Sequence, residues 1–259
     1  MSSEARRLSV HNLRRSFGGI VAVNNISFDL EADHITGLIG PNGAGKTTVF
    51  NLLAGSLKPD SGSVEFEGEP IVGLNASTIS RRGIARCFQS ATVFRNVTVR
   101  DHIVRAGYLK AIGRPFDLLK RRSLAAHKKA ARDTAEELLD FLELRHAADR
   151  DAATLAYGHQ KILGVGMALA TQPRLLLADE PAAGLNPVET SEMAELLRRV
   201  RYDRGIDVLL VEHDLRLVMK LCDRIIALNA GAIIADGPPN VVRNDEAFIT
   251  AYLGADHAS

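Results

Sequence analysis

The stretch GPNGAGKTT, Gly40 to Thr48, decides how the rest of the chain is read. It fits the pattern G-x-x-x-x-G-K-[ST], with Gly40, Gly45, Lys46 and Thr47 at the fixed places. The context fits too. HITGLIG (34–40) is a short apolar run stopped by glycine, the pattern of a buried strand, and KTTVFNLLAG (46–55) reads as a helix ended by Gly55. Strand, glycine loop and helix in this order make a phosphate cradle. Glycines let backbone N–H groups curl around phosphate oxygens without side-chain clashes, and the helix N-terminus adds partial positive charge. Lys46 then reaches the β- and γ-phosphates, and the Thr47 hydroxyl can ligate Mg²⁺. The loop residues Asn42, Gly43, Ala44 and Thr48 complete the nucleotide contacts. A loop of this kind fixes the ligand but not the reaction, because kinases, GTPases, helicases and transport ATPases all use one.

Outward from the loop, strands and helices alternate. Ile26, Phe28 and Leu30 alternate with polar residues, and SGSVEFEG (61–68) does the same between two turn signals. GIARCFQ (83–89), RLLLADE (174–180), IDVLLVEH (206–213) and DRIIALNAG (223–231) read as further strands. Before the third of these, NPVETSEMAELLRRV reads as a helix capped by Asn186, with Pro187 at its first position and Met193, Leu196, Leu197 and Val200 on one face. This alternation implies a mostly parallel sheet covered by helices. From about Thr98 to Asp140 the composition shifts to helix formers, so a separate helical block is expected there.

Polar groups recur at the ends of the predicted strands. LLLADE ends on Asp179, suited to hold Mg²⁺ through water, and Glu180, suited to act as general base on the attacking water. LLVEHD places His213 at the end of the next strand, where its imidazole can link the γ-phosphate to Glu180. Gln89 ends its strand with a neutral amide able to bind Mg²⁺ and orient water.

The totals bound the function. The 259 residues are 46% hydrophobic and 24% charged, ordinary values for a soluble globular protein. A formal charge of +1 gives no electrostatic case for nucleic acid. Cys87 and Cys222 lie far apart and read as free thiols in a reducing compartment. MSSEARRLSV carries no secretory h-region, and ILGVGMALA is far short of the ~20 residues needed to span a bilayer. Work at a membrane would therefore go through a partner.

With the phosphate loop, Gln89, Asp179-Glu180 and His213 in this order, the chain resembles the ATP-binding subunit of an ATP-binding-cassette (ABC) transporter, from about Leu8 to Gly254. The resemblance implies an α/β fold: a P-loop NTPase core with a mostly parallel sheet, an N-terminal antiparallel β subdomain and an inserted α-helical subdomain. It divides the chain at 1–97 (first part of the core), 98–158 (helical and signature subdomain) and 159–259 (second part of the core). In that family a pentapeptide, usually Leu-Ser-Gly-Gly-Gln, lies ahead of the Asp-Glu strand, and LAYGH (155–159) occupies that slot. The resemblance implies that Ala156, Tyr157, Gly158 and His159 face the γ-phosphate held by a second subunit. It assigns AAGLN (182–186) to the loop crossing the dimer interface and Phe17 to stacking on adenine. It implies catalytic roles for Glu180, His213 and Gln89, with Mg²⁺ held by Thr47, Gln89 and Asp179.

FGGIVAVNNISF, RRGIARCFQ, DEPAAGLNP and VEHDLRLVMKLCDRI are similar to the ATPase subunits of branched-chain amino-acid importers. Such importers pair two cassettes, identical or sibling, with integral membrane permease subunits and a solute-binding protein. That places this chain peripherally at the cytoplasmic face of the membrane, hydrolysing ATP with Mg²⁺ and binding no nucleic acid. Close relatives of such cassettes serve urea and amide uptake. The rivals are a soluble ABC-type ATPase of DNA repair or translation and a small-molecule P-loop kinase.

Three stretches depart from pattern. Ala156 and His159 replace the usual serine and glutamine, and losing one hydrogen bond to a charged acceptor would weaken ATP closure by about one to two powers of ten. Gly164 and Gly166, beside Met167, stand inside a predicted helix with no reason visible in the sequence. RPFDLLKRRSLAAHKKAAR (114–132) is locally basic, which suits a solvated helical face or a surface near anionic headgroups or a membrane subunit. The resemblance implies a groove between the helical block and the Gln89 loop that receives a membrane subunit's helix, lined by residues such as Thr92, Val93 and Phe94.

Overall fold

A computed structural model describes residues 6–87, 93–111 and 121–256. The central strands are short and apolar because both their faces are covered. β1 (Arg6–Phe17), β2 (Ile20–Glu31), β4 (Ser61–Phe66) and β5 (Glu69–Pro70) form an antiparallel sheet in the order β2-β1-β4-β5. β3 (Ile35–Ile39), β6 (Ile84–Cys87), β7 (Leu175–Asp179), β8 (Asp207–Val211), β9 (Arg224–Asn229) and β10 (Ala232–Gly237) form a second sheet in the order β10-β9-β3-β8-β7-β6. All its pairings are parallel except that of β10 with β9.

Alternation along these strands divides the core in two. Ile35 and Ile39, Leu176 and Ala178, and Val208 and Leu210 pack on one face with the helices. Leu38, Leu175 and Leu177, and Leu209 and Val211 pack on the other against the antiparallel sheet. Each side chain of β3, β7 and β8 thus follows the period of two that an extended strand imposes. The sheets are also joined by charge. Asp207, 2% exposed, accepts Arg7 Nε at 2.5 Å and the Asp33 N–H at 2.7 Å.

The helices are α1 (Lys46–Leu53), α2 (Ala76–Arg82), α3 (Val99–Ala111), α4 (Arg121–Phe141), α5 (Tyr157–Leu169), α6 (Pro187–Tyr202), α7 (Leu215–Leu221), α8 (Pro239–Val242) and α9 (Glu246–Asp256). The helical block begins and ends beside an isolated bridge between Thr98 and Asp151. Asn186 caps α6 in a reciprocal capping box with Glu189, and Pro187 opens the helix, as its sequence predicts. The strand expected over 223–231 is β9, and an antiparallel partner, β10, follows it.

The two interior glycines of α5 have different causes. A methyl on Gly166 would lie 2.3 Å from Leu142 Cδ1, so α5 and the end of α4 approach through that gap. At Gly164 no atom lies within 4 Å of such a methyl. That position faces a cleft of about 400 Å³, lined also by Ala85, Cys87, Ala106 and Ala168.

Candidate functional site

The strand order brings the C-terminal ends of β3, β8, β7 and β6 into one row. The phosphate loop, the Asp179–Glu180 pair and His213 lie at the ends of β3, β7 and β8, at the edge where ligands bind open parallel sheets.

The loop after β3 is shaped by close approach. A side chain on Gly40 would meet Leu228 O at 2.2 Å, and one on Gly45 would meet Ala22 O of β2 at 2.3 Å. Both residues have positive φ, 155° and 104°. α1 starts at Lys46 with no side-chain cap, so its first N–H groups remain available to an anion. Lys46 is 6% exposed, and its Nζ donates to Gly40 O at 2.6 Å and Pro41 O at 3.0 Å. Burial lowers its pKa, while Glu180 opposes that shift. A buried ammonium over glycine-rich backbone, beside an uncapped helix start, is a donor set that suits phosphate. Asn42, Gly43 and Thr47 are exposed at the mouth, Ala44 is buried, and Thr48 is half-buried.

The Asp179–Glu180 pair stands at the end of β7, where Asp179 pairs with Val211 of β8. Glu180 adopts φ +48°, uncommon for a residue with a side chain. Its N–H donates to Val211 O at 2.9 Å, and its carbonyl accepts Lys161 Nζ at 3.1 Å. This turn delivers the carboxylate to His213, whose Nε2 lies 2.7 Å from Glu180 Oε1. A carboxylate only accepts, so Nε2 carries the proton between them. The sequence places the two residues in separate motifs, and adjacent strand ends bring them together.

Neighbouring groups add what sequence reasoning missed. Glu212, 4% exposed, accepts the N–H of Ala182 at 2.8 Å and that of His213 at 3.2 Å. Burial raises its pKa. Arg86 of β6 donates from Nη2 to Asp179 Oδ2 at 2.5 Å and from Nη1 to Asn51 Oδ1 of α1 at 2.6 Å. An arginine inside the apolar run GIARCF was the available signal. Cys87 beside it is buried and free, its thiol pushed up to about 11 by burial.

Phe17 ends β1 at the hairpin turn, 43% exposed, with the Arg15 guanidinium 4.8 Å from its ring centroid. It is a surface ring, open to stacking. In LAYGH, Ala156 is the N-cap of α5 and makes no side-chain cap bond. Ala156 and Tyr157 are exposed, Gly158 is buried, and His159 is half-buried. This turn packs on the loop after Glu180. A methyl on Gly184 would lie 3.2 Å from the Tyr157 ring, and one on Gly158 would lie 2.8 Å from Glu189 Oε1. Gln89 and Thr92 lie outside the described residues, as does much of the basic stretch. Val93 packs against the helical core, and Phe94 is 58% exposed.

Among the described residues no group of three His, Cys, Asp or Glu could hold a metal by itself. A hard-oxygen set of Asp179 carboxylate and Thr47 hydroxyl still suits Mg²⁺, which is commonly bound by one or two side chains with substrate phosphates. No helix among the described residues is long and apolar enough to cross a membrane.

Comparison with known proteins agrees with this geometry. A family profile described as ABC transporter matches residues 23–183. The chain is 43% identical to the high-affinity branched-chain amino acid transport ATP-binding protein LivG of Escherichia coli strain K12, over 95% of this chain and 97% of that protein. It is 33% identical to the lipopolysaccharide export system ATP-binding protein LptB of Haemophilus influenzae, over 95% and 97%. Its fold superposes with a TM-score of 0.82 on the ADP conformation of MJ1267, an ATP-binding cassette of an ABC transporter, at 29% identity over 96% of this chain and 99% of that one. By these likenesses and by its own phosphate loop, this chain belongs to the ABC transporter family.

Proposed function

We propose that this chain is the ATP-hydrolysing subunit of an ABC importer for branched-chain amino acids or a related small polar solute. It sits peripherally at the cytoplasmic face of the membrane and drives integral permease subunits, served by a solute-binding protein. The observation that carries the reading is the Glu180–His213 contact of 2.7 Å beside the phosphate loop. The higher identity to the branched-chain transport protein (43%) than to the lipopolysaccharide export protein (33%) supports the solute class.

In this reading Lys46 and the loop amides stabilise phosphate charge. Glu180 takes the proton from the attacking water, and His213 holds that carboxylate in place. Thr47, Asp179 and Gln89 hold Mg²⁺, which neutralises charge on the β- and γ-phosphates when bound. Phe17 stacks on adenine. Ala156 to His159 meet the nucleotide of a second cassette, so that two nucleotides are shared by two subunits. The chain divides at 97/98 and 158/159 into core, helical and signature, and core segments.

Glu180→Gln keeps the shape and removes the base. Steady-state ATPase should fall by at least about 100-fold, the contribution of a positioned base, while ATP-bound dimers accumulate on size-exclusion chromatography. Wild-type turnover in this variant would refute the assignment of Glu180.

A further inference from the structure

Asp179 is already partnered in this structure. Its side chain is 8% exposed and bonded to Arg86, itself 11% exposed. The same guanidinium reaches Asn51, one residue past Phe50 on the phosphate-loop helix, and lies 6.0 Å from the Phe50 ring centroid. One side chain thus ties β6, β7 and α1 together around the carboxylate. Ile84, Ala85 and Cys87 of the same strand are all buried apolar residues. A guanidinium in such a strand is unfavourable unless its charge is matched, and so is a buried carboxylate left alone. The pair matches two buried charges at the point where a dication is to arrive.

We propose that Arg86 is a positioning residue for magnesium: it holds the Asp179 carboxylate aimed, and its charge stands in for the cation in the metal-free site. The inference rests on the reading of Asp179 as a Mg²⁺ ligand. Two consequences have opposite sign. Without metal, the guanidinium neutralises Asp179 and so offsets that carboxylate's repulsion of the triphosphate. With metal, the same positive charge opposes the cation for the same carboxylate oxygens. Arg86 therefore reduces the dependence of ATP affinity on Mg²⁺.

The test measures the dissociation constant of ATP for the full chain, once in EDTA and once in saturating Mg²⁺, and takes their ratio. Arg86→Met should weaken binding in EDTA far more than binding in Mg²⁺. The ratio should then rise roughly tenfold, the order expected from one unit charge in a partly screened site. Arg86→Lys retains the charge and should keep the ratio within about threefold of wild type. A merely structural arginine would weaken both affinities alike, and an unchanged ratio in Arg86→Met overturns the proposal. If Arg86→Met does not fold, Arg86→Gln takes its place in the same comparison. Asp179→Asn supplies the control: on that background Arg86→Met should no longer move the ratio, because the carboxylate through which it acts is gone. A ratio in Asp179→Asn equal to that of wild type would instead count against Asp179 as a metal ligand, so the two failures are distinguishable.

Discussion

Gly164→Ala and Gly166→Ala are the same chemical change, two residues apart on one helix, and they should differ in effect. Both remove a glycine from the interior of α5, which favours the helix by about 1 kcal/mol. At Gly164 nothing opposes that gain, since the added methyl meets no atom within 4 Å and enters the cleft beside Cys87 and Ala168. At Gly166 the methyl arrives 2.3 Å from Leu142 Cδ1 and 3.5 Å from Leu142 Cγ. Leu142 is 4% exposed, so its side chain must leave its position within a packed core. Such overpacking costs about 1–3 kcal/mol. Subtracting the propensity gain leaves Gly166→Ala neutral to about 2 kcal/mol destabilised, against about 1 kcal/mol of stabilisation for Gly164→Ala. The two variants should differ by about 1–3 kcal/mol, or several degrees in melting temperature for a chain of this size. Equilibrium unfolding in urea without nucleotide measures the difference directly. If Gly166→Ala equals or exceeds Gly164→Ala in stability, the steric account of these glycines is wrong.

Two further outcomes follow from the site. Ala156→Ser restores a hydroxyl at the N-cap of α5, where Ala156 makes no cap bond; steady-state ATPase should rise by up to about tenfold, and a decrease would refute the role given to this position. Burial raises the Glu212 pKa, so ionising this carboxylate costs more in the folded chain than in the unfolded one. That penalty is absent below the ordinary glutamate value and grows as pH rises through the raised one. Glu212→Gln should therefore gain stability relative to wild type as pH rises above the ordinary glutamate value, and urea midpoints that shift the other way would contradict the burial argument.

The chain's own pattern disclosed most of the architecture because the signals were local. Short, mainly apolar runs marked β3, β7 and β8, and Asn186-Pro187 marked the start of α6. The partition of those strands between two cores was implicit in their alternation. What stayed hidden depended on remote partners. β1 carries Asn12 in a left-handed conformation and several register shifts against β2, so its alternation is broken where pairing would otherwise be read. Gly166 is explained by Leu142 and Arg86 by Asp179 and Asn51, contacts that only the assembled fold supplies.

The catalytic turn shows this limit most sharply. LLLADE announces two carboxylates, but a strand continuing past Asp179 would send Glu180 to the opposite face from its neighbour. The left-handed φ at Glu180 redirects it, at a cost of about 1–3 kcal/mol for a residue with a side chain. Two bonds from outside the motif hold that turn: Val211 O receives its N–H, and Lys161 Nζ, from the helix that begins with Tyr157, donates to its carbonyl. The first bond comes from the strand leading to His213, and the second from the helix of the LAYGH stretch. The position of Glu180 is thus set jointly by β8 and α5. A displacement of α5 relative to the sheet would act on the carboxylate's backbone before it reached any side chain. Proximity of Glu180 to His213 is therefore a property of the whole strand row and its covering helix, which is why no reading of either motif alone yields it.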